Sequence, residues 1–201
     1  MTCPHDHGNS NGGNSNGGNS NGVNRSPVSQ LYSRRSVVVA LASTTMLCAE
    51  SPVAVAFAPA EDQAFMRLAL DEARRGDYPF GAVIVRDDKV IARGRNLGKV
   101  HDDPTAHAEM TAIRRCVADH GSAVLRGSTL YATGEPCPMC MGAIIWCHVG
   151  RLVFAASIKQ LASKIDQIMV PCADTAGNAP FASITIKAGV LADEAMKLFD
   201  N

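Results

Sequence analysis

The sequence predicts one α/β layered domain over residues 61–201, and three observations predict it. Strand-like and helix-like hydrophobic patterns alternate along this stretch, as in a sheet covered by helices. The chain has 201 residues, enough for one well-buried domain and short for two. Hydrophobic residues make up 46% and charged residues 19%, the balance of an ordinary soluble globular protein.

Each element has a local cause. Residues 61–75 (EDQAFMRLALDEARR) set Phe65, Met66, Leu68, Ala69 and Ala73 at helical spacing, and Gly76 stops the helix. Residues 80–86 and 89–95 flank Asp87 and Asp88 and read as a two-strand hairpin. Residues 104–119 are predicted helical, with Gly121 just past the end. A strand over 128–133, a helix over 138–146 and a strand over 151–156 follow. A short helix over 158–165, a strand over 182–187 and a last helix over 192–199 complete the domain.

The first sixty residues read differently. Residues 8–22 repeat GNSNG three times and offer no apolar side chain to bury, so 1–32 is expected to be a disordered tail. Cys3, His5 and His7 could grip a metal weakly, but beside this repeat they read as part of the tail. Residues 33–60 read as a signal peptide. Arg34 and Arg35 precede an apolar run over 37–49, and small-residue cleavage patterns follow at 54–56, 56–58 and 58–60. The apolar run covers about half of the ~20 residues a spanning helix requires. Paired arginines point to the twin-arginine route, hence to an exported, periplasmic or secreted protein with no membrane contact once mature. A start codon assigned too far upstream would instead leave the protein cytoplasmic.

Charge and cysteine content narrow the function classes. Lysine plus arginine and aspartate plus glutamate each number 19. Three of the basic and two of the acidic residues precede residue 61, which leaves 16 against 17, without the basic surplus of a nucleic-acid binder. The seven cysteines are odd in number, and only one pair has a metal or redox spacing, so a disulfide scaffold is a poor reading.

Two segments carry chemistry. Thr105-Ala106-His107-Ala108-Glu109 opens one predicted helix, and Glu135-Pro136-Cys137-Pro138-Met139-Cys140 opens another. Pro138 suits a first helical position, which makes Cys137 the N-cap and Cys140 the third helical residue. Side chains at those positions converge, and a helix N-terminus favours the thiolate that binds metal. His107 supplies a third ligand. Three protein ligands on zinc leave one position open, as in a catalytic site. Glu109 is placed beside the metal as the proton carrier rather than as a ligand.

Two bland readings compete. A redox Cys-x-x-Cys would leave the His-x-Glu segment unexplained. A structural zinc would need a fourth ligand from Cys147, His148 or Cys116, of which Cys116 and Cys147 read more simply as buried core. His101, His120 and His148 read as surface or loop histidines.

His-x-Glu followed by Pro-Cys-x-x-Cys is the signature of zinc nucleobase deaminases. With Pro79 to Val83, Asp103 to Glu109 and Glu135 to Ala143, the chain resembles the cytidine-deaminase-like zinc deaminase superfamily. It is nearest the branch of guanine deaminases, yeast-type cytosine deaminases and tRNA adenosine deaminases. The resemblance implies a three-layer α/β/α sandwich around a five-stranded mixed sheet, with Zn2+ held by His107, Cys137 and Cys140. It also picks out Asn96 to hold the edge of the base, a role that fits a side-chain amide. Phe80 and Trp146 are candidates to enclose a flat ring, with a place in the core as the alternative.

The leading expectation is hydrolytic deamination of a free purine or pyrimidine base or nucleoside by a homodimeric enzyme. The runner-up is a tRNA adenosine deaminase, and the non-enzyme alternative is a zinc-containing binding module without turnover. The intact Glu109 speaks against the last. Guanine deaminases resembling this chain place a further aspartate shortly after the strand ending near Ala156. Here Ser157 to Gln160 contains no acid and the next is Asp166, which counts against guanine. tRNA is not expected as a partner, given the export signal and the missing basic surplus. The closing residues 192–201 also lack the basic tail of bacterial tRNA deaminases, although 188–194 resembles those enzymes.

Overall fold

The computed structural model describes residues 59–200. The expected tail, and all but the last two residues of the expected signal segment, lie outside the described residues. Helix α1 (Pro59–Ala73) leads into the hairpin β1 (Gly81–Arg86) and β2 (Lys89–Arg95). Asp87 and Asp88 both take positive φ, 49° and 57°, the sign a primed hairpin turn requires. Next come α2 (Ala108–His120), β3 (Thr129–Gly134), α3 (Pro138–Trp146) and β4 (Arg151–Ala156). The chain closes with α4 (Ile158–Leu161), α5 (Cys172–Gly177), β5 (Thr185–Lys187) and α6 (Ala192–Met196).

The five strands form one sheet in the order β2-β1-β3-β4-β5. β1 is antiparallel to both β2 and β3, whereas β3, β4 and β5 run parallel, so the sheet is mixed as expected. Side chains alternate between its faces with the period of two that a strand imposes. Ala82, Ile84, Leu130, Ala132, Leu152 and Phe154 point to one side, against α2 and α3. Val83, Val85, Tyr131, Val153 and Ala155 point to the other, against α1, α4 and α6. The outcome is the three-layer α/β/α sandwich.

A buried carboxylate fastens the second face. Asp62, fully buried in the first turn of α1, accepts two hydrogen bonds of 2.8 Å from Arg151 at the start of β4. Lys187 of β5 and the Tyr131 hydroxyl of β3 donate to it at 2.6 and 3.0 Å. Burial alone would raise the Asp62 pKa, but the hydrogen bonds from Arg151, Lys187 and Tyr131 outweigh it and hold the group at about 2.

Several boundaries differ from expectation. α2 begins at Ala108, not at Pro104, because Asp103 claims the intervening residues for a turn. Its Oδ1 accepts from the Thr105 backbone N at 2.8 Å and from the Thr105 hydroxyl at 2.6 Å, and the Ala106 N donates to its carbonyl. The helix expected over 158–165 stops at Leu161, and the strand expected over 182–187 keeps three residues. α5 and a 3-10 turn over Ser122–Leu125 were not foreseen, and residues 197–199 form a 3-10 turn instead of continuing α6. No helix among the described residues is long and apolar enough to cross a membrane.

Candidate active site

Two helix starts meet beyond the carboxyl ends of β2 and β3. His107 caps α2 and Cys137 caps α3, both with extended backbone, and Pro138 occupies the first turn of α3 as anticipated. The His107 side chain makes no capping hydrogen bond to α2 and turns towards the two cysteines of α3. The His107 Nδ1 lies 3.7 Å from the Cys137 Sγ and 3.6 Å from the Cys140 Sγ.

These distances fit zinc. Zn–N of about 2.0 Å and Zn–S of about 2.3 Å at the tetrahedral angle put nitrogen and sulfur about 3.5 Å apart. All three ligand atoms lie within 4.8 Å of one another, and no fourth His, Cys or carboxylate joins them among the described residues. Cys116 is instead buried in the core and Cys147 packs against it, so neither serves a structural zinc.

The electrostatics agree with a cation site. Hydrogen bonds from Cys140 and, after the opposing effect of burial, from His107 hold the Cys137 thiol down at about 4. Cys140 is pushed up because it donates to Cys137, and His107 is raised by its own hydrogen bond to Cys137. Three donor atoms that share protons in this way form a set from which a divalent cation displaces those protons.

Beside the triangle lies a cavity of about 580 Å³, a size suited to a small planar ligand. Glu109 lines it from the first turn of α2, and burial raises its pKa above the usual carboxylate range. Asn96 lines it just past β2. Its Oδ1 accepts from the Gly98 backbone N at 3.0 Å, which holds the amide in place with its nitrogen as the remaining donor. Phe80 lines it too, half-buried, with its ring edge on Phe199 at 5.4 Å.

Trp146 requires correction. It sits at the far end of α3, 72% exposed, stacked on Phe181 at 4.9 Å and away from the cavity. Six residues beyond Cys140, a helical residue is displaced about 9 Å along the axis and turned to another side. Two wall components were missed in the sequence. Residues 165–168 close one side of the cavity, and Glu135 lines it from the turn after β3. The only available sign of Glu135 was an acid immediately after a fully buried strand.

Known relatives agree with this geometry. The family described as "Cytidine and deoxycytidylate deaminase zinc-binding region" matches residues 59–156. Over 78 residues the chain is 50% identical to a guanine deaminase of Bacillus subtilis, covering 39% of this chain and 50% of that protein. Over 100 residues it is 41% identical to the tRNA-specific adenosine deaminase of the same organism, covering 48% of this chain and 62% of the relative. The chain thus spans between half and two thirds of the length of these two relatives. Among solved structures, one from work on A-to-I editing by tRNA:A34 deaminases superposes with a TM-score of 0.58 at 33% identity. That likeness covers 67% of this chain and 98% of the other.

Proposed function

The chain belongs to the cytidine and deoxycytidylate deaminase family of zinc-binding proteins, and we propose that it hydrolyses the exocyclic amine of a free nucleobase or nucleoside. The observation that carries this reading is the His107, Cys137 and Cys140 triangle beside a buried Glu109 in one cavity. In this reading the three ligands hold zinc, which when bound brings the pKa of a water at its open position towards ~7. Glu109 takes a proton from the attacking water and delivers it to a ring nitrogen. It then takes the remaining proton of the added hydroxyl and passes it to the departing amine. The C–N bond breaks as the carbonyl forms, so that amine plus water becomes carbonyl plus ammonia. Burial raises the Glu109 pKa, which makes the carboxylate a better proton acceptor than an exposed one. Asn96 holds the edge of the base, and Phe80 supplies an apolar wall.

The lining supports a small uncharged substrate. Asp102, Asp103, Glu135 and Asp166 accompany Glu109 around the cavity, against one cation, Lys99, whose Nζ rests 4.5 Å from the centre of the Tyr78 ring. Recognition of a polynucleotide relies on cations facing its phosphates.

A second reading, tRNA adenosine deamination, has equal support from the relatives. Those acting on tRNA resemble the chain as closely as the guanine deaminase does, so the expectation against tRNA has no support from them. Ammonia release should be measured from zinc-loaded protein with guanine, cytosine, adenine, their nucleosides and related triazines. Inosine formation should be followed in parallel in a tRNA anticodon stem-loop. Turnover of the stem-loop alone would replace the first reading by the second.

A further inference from the structure

Glu135 belongs neither to the metal ligands nor to the proton relay, yet both of its carboxylate oxygens are engaged. Oε2 accepts from the backbone N of Ile158, the first residue of α4, at 2.9 Å. Oε1 accepts from the backbone N of Cys172, the first residue of α5, also at 2.9 Å. The Glu135 backbone N meanwhile donates to the carbonyl of Ala156 at the end of β4. One side chain therefore holds both ends of residues 158–172, the stretch whose Ile165, Asp166, Gln167 and Ile168 wall the cavity. Within that stretch the backbone bonds are local. Lys164 and Ile165 donate to Leu161, and Val170 donates to Ile168. Ile158 and Leu161 at one end and Cys172 at the other are buried, whereas Ile168, Met169 and Val170 between them are exposed and give the wall itself little burial.

We propose that Glu135 is a positioning residue that fixes the wall at 165–168 at a set distance from the metal-bearing turn two residues further on. The inference rests on the reading of this cavity as the substrate site. A carboxylate is the side chain the task requires, because two converging N–H donors need two acceptors. Glutamine offers one acceptor and turns an NH2 group towards the second donor. That donor is then left without a partner, a loss that favours opening of the wall by about tenfold.

The test uses full-length, zinc-loaded wild type and Glu135→Gln, compared by hydrogen exchange, metal content and steady-state kinetics. In the wild type the amides of Ile158 and Cys172 should exchange as slowly as core amides. In E135Q, exchange across 158–172 should accelerate about tenfold, with α2 and β3 unchanged and one zinc retained per chain. On whichever free base or nucleoside the wild type turns over, KM should rise about tenfold while kcat stays within about threefold, since the wall binds substrate but moves no proton. Unaltered exchange in E135Q would overturn the proposal, as would a fall in kcat with KM unchanged. If E135Q does not fold, rapid wild-type exchange at Ile158 or Cys172 overturns it and slow exchange supports it. If the wild type turns over no small substrate, the free-base reading on which the kinetic arm rests has failed, and exchange at 158–172 still decides whether Glu135 holds the wall.

Discussion

Gly94 lies so close beneath α2 that a Cβ at this position would stand 2.2 Å from the Ala108 carbonyl oxygen and 2.4 Å from the Ala112 backbone N. Both neighbours are backbone atoms, which cannot swing aside. The absence of a side chain on β2 thus sets how deeply the first turns of α2 settle onto the sheet, and with them His107 and Glu109. Gly94→Ala should cost about 1–3 kcal/mol through overpacking. A fall in melting temperature accompanied by weaker zinc binding is the expected pair of observations. Unchanged values for both would show that α2 can shift without disturbing the site.

The ligand triangle should bind one zinc per chain. His107→Ala, Cys137→Ala and Cys140→Ala should each lose most of it, because two ligands rarely suffice for a tightly held ion. Metal analysis after dialysis against a weak chelator measures this directly. Full retention of zinc by any of the three would remove that residue from the ligand set.

Glu109→Gln keeps the size of the side chain and abolishes its ability to carry a proton. Fold and zinc content should persist, while kcat falls by about 10²–10⁴-fold. Near-normal turnover in this variant would refute the proton-relay role.

Asp62 links stability to acid. Its folded pKa of about 2 lies below its ordinary value of 3.8, so its contribution is complete above about pH 4. That contribution is lost as the pH falls through about 2. A shift of this size corresponds to about 2 kcal/mol. Asp62→Asn should lower stability at pH 7 by about 2–4 kcal/mol, since Arg151 and Lys187 lose their shared carboxylate. The variant should also lose less stability than wild type between pH 4 and pH 2, as read by urea titrations at each pH.

Export is proposed to remove the residues ahead of the domain, with cleavage between 54 and 60. Mass spectrometry of periplasmic or secreted protein gives the new N-terminus. Because α1 begins at Pro59, cuts at the earlier two cleavage patterns leave the helix whole. Protein found only in the cytoplasm with Met1 intact would end this proposal.

Much of the domain was legible because its causes are local. Helix α3 starts where Pro138 permits, and Cys137 and Cys140 converge because capping geometry acts within a single turn. The hairpin follows from alternation on either side of Asp87 and Asp88. Other features depend on which elements become neighbours, and pattern within a window of residues does not contain that information. His107 meets its cysteines across 30 and 33 residues, and the family motif, not periodicity, linked them in advance. The triad of Asp62, Arg151 and Lys187 closes over 89 and 125 residues and exists only because β4 and β5 lie parallel over α1. Trp146 looked like a ring-stacking residue in the sequence, and helix rotation carried it to the far side. Glu135 looked like a spacer in a motif, and only the packing of two later helix starts onto its carboxylate gave it something to hold. Local order came from the sequence through propensity and capping, whereas the cavity came from the order of strands in the sheet and the depth at which the helices docked.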